Sequence, residues 1–197
     1  LDSFDPFYSA EIKRNNIKAH LKKSNYKLAE VDICDFPKTR ARLADHYDVI
    51  IHFAAKVGVK PSVRGPVSYT QANINGNQNM LELACELKCK KFIFASSSSV
   101  YGVNPNVPWG EDDYVLLPIS PYASAKISGE LLGYAYSHLF GFQFIGLRFF
   151  AVYCPRQRPD FAIHKFAKLI SEKKLAICMG MGLRKEIMRM FRTLSMA

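Results

Sequence analysis

Val49-Ile50-Ile51-His52-Phe53 is a continuous apolar run bounded by turn residues. So short a run, without apolar/polar alternation, predicts a strand buried on both faces, as in a parallel sheet. Lys91–Ala95 reads as a second buried strand, ending in Ser96-Ser97-Ser98-Ser99, and Phe142–Phe150 as a third. The spacing predicts helices from about Pro66 to Leu87, over Tyr122–Leu139 and over Phe161–Lys173. Upstream, residues 9–22 carry charge with sparse apolar positions and predict a surface helix, and Tyr26–Val31 predicts a short strand. Pro37 then stands at the first position of a helix reaching about Asp45. Strands alternating with helices predict an α/β fold with parallel strands.

A chain of 197 residues that is 49% apolar can bury a real core, which excludes disordered and collagen-like classes. No apolar run approaches the ~20 residues of a membrane span, and no cleavable signal is expected before the first motif. Five scattered cysteines without paired CxxC spacing point away from a disulfide framework or a metal site and toward a reducing, cytoplasmic setting. Cys85 and Cys89 stand at i, i+4 and are expected to share a helix face as packing residues. The net charge of +10 suggests nucleic acid at first sight, but the basic residues are spread along the chain. Their one dense stretch is residues 179–197, which also hold five of the six methionines. Neither a nucleic-acid nor a membrane partner is expected.

Ligands of open α/β sheets gather at the carboxyl ends of the strands. Here those ends carry Asp32-Ile33, Phe53-Ala54-Ala55 and Ser96–Ser99, with Asp2 a fourth if Leu1 closes a strand. An acidic residue at such a point can accept both ribose hydroxyls of an adenosine, or it can simply cap the next helix. Tyr122 and Lys126 stand at i, i+4 and share one face of a helix. An ammonium beside a phenol stabilises the phenolate and yields a base for a sugar hydroxyl near neutral pH. The spacing alone is no stronger than chance among ten tyrosines; its company is Ser97, at the end of the preceding strand.

With these residues in view, the chain resembles the extended short-chain dehydrogenase/reductase proteins, specifically NAD-dependent nucleotide-sugar epimerases. The resemblance rests on His52-Phe53-Ala54-Ala55, Asn73-Ile74-Asn75-Gly76, Phe92 to Gly102, Ser120-Pro121-Tyr122-Ala123-Ser124-Ala125-Lys126 and Leu147-Arg148-Phe149-Phe150. The 25-residue step from Ser97 to Tyr122 is also the family's. Leu1 to Tyr8 and Pro155-Arg156-Gln157-Arg158-Pro159-Asp160 look most like UDP-glucuronate 4-epimerases. The resemblance implies a Rossmann-like, doubly wound parallel sheet, bound NAD, a UDP-sugar substrate and, for an intact member, a homodimer. It makes Tyr122 the base, with Lys126 on the nicotinamide ribose and Ser97 steadying the reacting oxygen. Asp2, Asp32 and Ile33 match adenosine-side contacts, Phe53, Ala54 and Ala55 the pyrophosphate and ribose wall, Asn73 the helix behind it, and Phe149 a further cofactor contact. Ser97, Ser98, Ser99, Ala151 and Arg158 match substrate-side positions.

The departures carry expectations of their own. Ala151 stands where threonine is usual, and Cys154 replaces a glycine before Pro155. The family's first strand and Gly-rich turn have no counterpart here. The chain therefore reads as a partial NAD-binding domain over 1–155 and the start of a substrate region over 156–178. Shifting the frame by two bases after residue 178 recovers family-like residues in order, so 179–197 reads as an out-of-frame tail. A sheet without that central strand is expected to be unstable, and to leave Val49–Phe53 either at an edge or paired directly with Tyr26–Val31. Two alternatives stay open: a nucleotide-sugar 4,6-dehydratase, or a catalytically dead fragment. Dehydratases use an acid and a base next to the serine, and Ser98 and Ser99 occupy those places here.

Overall fold

The computed structural model describes residues 1–114 and 117–174, and the predicted tail over 179–197 lies outside them. The chain divides into two compact units, Leu1–Val152 and a second beginning at Tyr153. Within the first, α1 (Ala10–Ile17) and α2 (Phe36–Arg42) precede β1 (Val49–His52). Next come α3 (Val59–Arg64), α4 (Pro66–Thr70), a π-helical turn (Gln71–Asn75) and α5 (Gly76–Glu86). β2 (Lys91–Ser97), a 3₁₀ turn (Ser98–Tyr101), α6 (Pro121–Phe140) and β3 (Gln143–Phe149) complete it. The second unit carries α7 (Ala162–Ser171), none of whose residues is buried.

The three strands pair in parallel in the order β1-β2-β3, with Ile51 opposite Ile93 and Ser97 opposite Phe149. Parallel strands need a crossover, and α5 and α6 supply one each. The core lies between these helices and one sheet face, where Phe92, Phe94, Leu81 and Leu83 are fully buried. Two glycines of α6 allow the close approach: a Cβ on Gly129 would stand 2.3 Å from the Phe94 ring, and one on Gly133 2.0 Å from Phe144.

Several expectations change. The run Val49–Phe53 is not buried on both faces, for Ile51 is 59% and Phe53 60% exposed. β1 is an edge strand among the described residues, and α5 and α6 cover only the face that carries His52. β2 likewise alternates, with Phe92, Phe94 and Ser96 buried and their neighbours partly open. Among the described residues, the helices that contact the sheet form one layer, on the face that carries His52. Tyr26–Val31 forms no strand; a single parallel bridge joins Asp2 to Glu30. The bonding there is confined to the Asp2 N–H on the Ala29 carbonyl and the Val31 N–H on the Asp2 carbonyl, both at 3.2 Å, so no ladder forms. The helix expected from Pro66 to Leu87 is interrupted by the π turn at Gln71–Asn75. Cys89 lies beyond the end of α5 and so shares no helix face with Cys85; both thiols are free.

Candidate active site

Three elements converge on the carboxyl end of β2. Ser120 caps α6, accepting the Ala123 N–H at 3.1 Å, and Pro121 opens its first turn. This start places Tyr122 in the first turn and Lys126 one turn further, on the face toward the sheet. The Tyr122 N–H donates to Ser62 Oγ at 3.2 Å, and its ring meets Tyr69 edge-on with centroids 6.3 Å apart. Lys126 is only 3% exposed. Its Nζ donates to the Ala95 carbonyl at 2.6 Å and lies 5.8 Å from the centre of the Tyr122 ring and 4.9 Å from that of Phe94. Burial pushes the ammonium down to about 8. His52, buried behind it, is pushed down to about 3 by burial and then by the Lys126 charge, and is neutral at physiological pH.

Ser97 closes β2 in an extended conformation and begins the 3₁₀ turn, its Oγ accepting the Ser99 N–H at 3.2 Å and the Ser99 hydroxyl at 3.0 Å. Lys126 thus grips the strand two residues before Ser97 while bordering the Tyr122 ring. The serine turn is built from the same short segment, which also holds Ser98.

The cofactor-side residues fall into two groups. Asn73 is buried in the π turn and clasps the backbone of Lys56, Oδ1 accepting its N–H at 2.7 Å and Nδ2 donating to its carbonyl at 2.8 Å. That clasp fixes the segment leaving β1, which carries Phe53, Ala54 and Ala55. Phe53 stacks on Phe149 across the strand ends, centroids 5.9 Å apart. Asp2 and Asp32 each accept a backbone N–H two residues on, from Phe4 at 2.6 Å and from Cys34 at 2.9 Å. Their carboxylates therefore fix turns as well as offering further lone pairs. Ile33 is in the main core, where its side chain packs on Gly76. Ala151 is exposed at the end of the first unit. Arg158 lies in the second unit, where its guanidinium pairs with Asp160 at 2.5 Å and covers Phe161.

Sequence reasoning missed Glu130 and the role of Arg148. They form a 2.9 Å ion pair, and Glu130 also accepts a short hydrogen bond from the Ser96 hydroxyl. Glu130 continues the Tyr122, Lys126 spacing by one more turn, which was the available signal. Among the described residues no cluster could hold a metal ion.

The family model described as GDP-mannose 4,6 dehydratase matches residues 3–186. The chain belongs to the extended short-chain dehydrogenase/reductase family of nucleotide-sugar epimerases and dehydratases. A UDP-glucuronate 4-epimerase of Thermodesulfobacterium geofontis is 37% identical over 185 residues, which cover 92% of this chain and 56% of that one. An uncharacterised protein of Methanocaldococcus jannaschii is 40% identical over 171 residues, 86% of this chain and 52% of its own. Among solved structures, the UDP-glucuronic acid 4-epimerase of Bacillus cereus in complex with UDP-glucuronic acid and NAD superposes with a TM-score of 0.81 at 36% identity. That match covers 92% of this chain and 57% of the other. A dTDP-glucose 4,6-dehydratase of Streptomyces venezuelae with bound NAD gives 0.75 at 28% identity, over 81% and 49%. The chain spans about half the length of the curated relatives it matches. No helix among the described residues is long and apolar enough to cross a membrane.

Proposed function

We propose that this chain carries the catalytic part of an NAD-dependent nucleotide-sugar 4-epimerase of the UDP-glucuronate/UDP-galacturonate type, in the cytoplasm. The observation that carries the reading is Lys126: an ammonium buried without a carboxylate partner among the described residues, gripping the end of β2 and bordering the Tyr122 ring. An uncompensated buried cation stabilises a neighbouring anion, here the phenolate.

The residues present fit one side of the dinucleotide. Asp2 and Asp32 would meet the adenosine ribose, the Asn73-fixed segment Phe53–Ala55 the pyrophosphate, and Lys126 with Phe149 the nicotinamide riboside. When bound, NAD would supply a reversible hydride acceptor for the sugar C4. Tyr122 takes the proton of the 4-hydroxyl as the C4–H bond breaks and gives it back when that bond re-forms, so the protein ends each cycle unchanged. Ser97 donates a hydrogen bond to the reacting oxygen and holds it at the phenol. Ser98, Ser99 and Ala151 would line the sugar. Serines at 98 and 99 favour epimerisation over elimination, because expelling a 6-hydroxyl needs an acid and a base there.

Residues 1–155 are proposed to be part of a Rossmann domain, with 156–178 opening the substrate region. The open edge of β1 and the bare apolar face of the sheet support a fuller sheet than these strands provide.

The test is a chimera in which residues 1–152 replace the matching segment of the Bacillus cereus epimerase, incubated with UDP-glucuronate and followed by NMR of the sugar. UDP-galacturonate should form, and Tyr122→Phe should abolish it while NAD stays bound. A folded, NAD-loaded chimera that forms a 4-keto-6-deoxy sugar from a UDP-hexose, or is unaffected by Tyr122→Phe, would overturn the proposal.

A further inference from the structure

Glu130 follows Lys126 by four residues, as Lys126 follows Tyr122, so the three share one face of α6. A carboxylate and an ammonium one turn apart on a helix lie within reach of each other. Here they do not pair. Glu130 accepts Arg148 Nε at 3.1 and 3.3 Å and Nη2 at 2.9 Å, together with the Ser96 hydroxyl. Arg148 is itself held in place. Its Nη1 donates to the Glu111 carbonyl at 3.0 Å, its guanidinium lies 5.1 Å from the Tyr101 ring centre, and the β2–β3 register sets it opposite Ser96. Both partners of the pair are 17% exposed at the side chain. Lys126 turns instead to the Ala95 carbonyl, one residue before Ser96.

We propose that Arg148 is a positioning residue: it holds Glu130 on Ser96 and off Lys126, so that the Lys126 ammonium acts undivided on Tyr122. Its catalytic consequence rests on the reading of Tyr122 as the base. Tyr122 borders Lys126 on its own helix and His52 of β1 feels its charge, while Glu130, one turn on, is engaged by Arg148 of β3, whose guanidinium faces Tyr101 of the 3₁₀ turn. His52 is neutral, and Lys126 is set low by burial with no acidic contribution. Without Arg148, the Glu130 carboxylate would lose its cation, and the ammonium one turn away is the nearest replacement on its helix. Lys126 would then be paired, and a phenolate at Tyr122 would lose part of its support.

The test uses the full chain with isotope-labelled lysine, following the Lys126 Nζ signal by NMR from neutral to alkaline pH and assigning it with Lys126→Met. Arg148→Met should raise the Lys126 midpoint by about one pH unit or more, the usual effect of an adjacent opposite charge. Adding Glu130→Gln should reverse that rise, and Arg148→Lys, which keeps a cation, should stay near the parent value. An unchanged midpoint in folded Arg148→Met would overturn the proposal. If that variant does not fold, Glu130→Gln alone decides, since it keeps the shape and the Ser96 acceptor. Its midpoint should move by less than about half a pH unit, and a fall of about one or more would show that Glu130 already supports Lys126. None of these readouts involves NAD or turnover, so failure here and failure of the epimerase reading are separate results.

Discussion

Replacing Lys126 by methionine should remove a pH dependence of stability that the parent chain carries. Burial lowers the ammonium from 10.5 to about 8, and Lys126 is 3% exposed. At 1.36 kcal/mol per pH unit of displacement, the difference is worth about 3 kcal/mol. Below pH 8 the group is charged in both folded and unfolded chains, and the full desolvation penalty weighs on the fold. Between about 8 and 10.5 the unfolded chain keeps a proton that the folded chain has released. Stability from this group therefore rises with pH across that window and levels off above it. Other groups act in the opposite sense, since burial pushes the Cys34 and Cys85 thiols up to about 11 and Tyr136 up to about 12. These are common to both proteins and cancel in the difference. Methionine keeps the unbranched stem and drops only the charged head. Urea denaturation of the two proteins at steps from pH 7 to 10.5 gives the difference curve. The parent should gain about 3 kcal/mol on the variant over that range. A difference flat to within about 0.5 kcal/mol, close to the error of the extrapolation, would refute the idea that a buried ammonium strains this fold.

Gly133→Ala should cost about 1–3 kcal/mol by driving a methyl into the Phe144 ring, which stacks on Phe92 and Phe94 and has little room to move; thermal unfolding measures it. Asn73→Ala removes both side-chain bonds to the Lys56 backbone and should cost about 1–3 kcal/mol. Amide exchange at Lys56 should accelerate well beyond the change at β2. Ile51→Lys places a charge on the exposed face of the edge strand and should reduce aggregation in light-scattering assays, with stability changed by less than about 0.5 kcal/mol.

The alternation of strands and helices was legible along the chain, because apolar runs and their periods are local signals. The sequence placed β1, β2, β3 and α6 to within two residues. It also determined the Tyr122–Lys126 face, since i, i+4 spacing on a helix needs no tertiary information. It did not determine how many faces of the sheet are covered. A run such as Val49–Phe53 reads as doubly buried, yet its exposure depends on which helices reach it, and α5 and α6 reach one side only. Tyr26–Val31 failed as a strand because its pairing stops at the single bridge between Asp2 and Glu30, and pairing between segments is not a local signal. The tertiary structure alone decided that Glu130 goes to Arg148 and Ser96 rather than to Lys126. Helix spacing offers Glu130 the lysine one turn away; the β2–β3 register puts the guanidinium and the serine hydroxyl within its reach instead. Which of two available cations a carboxylate takes is settled by distances between separate elements, and no spacing within one element encodes them.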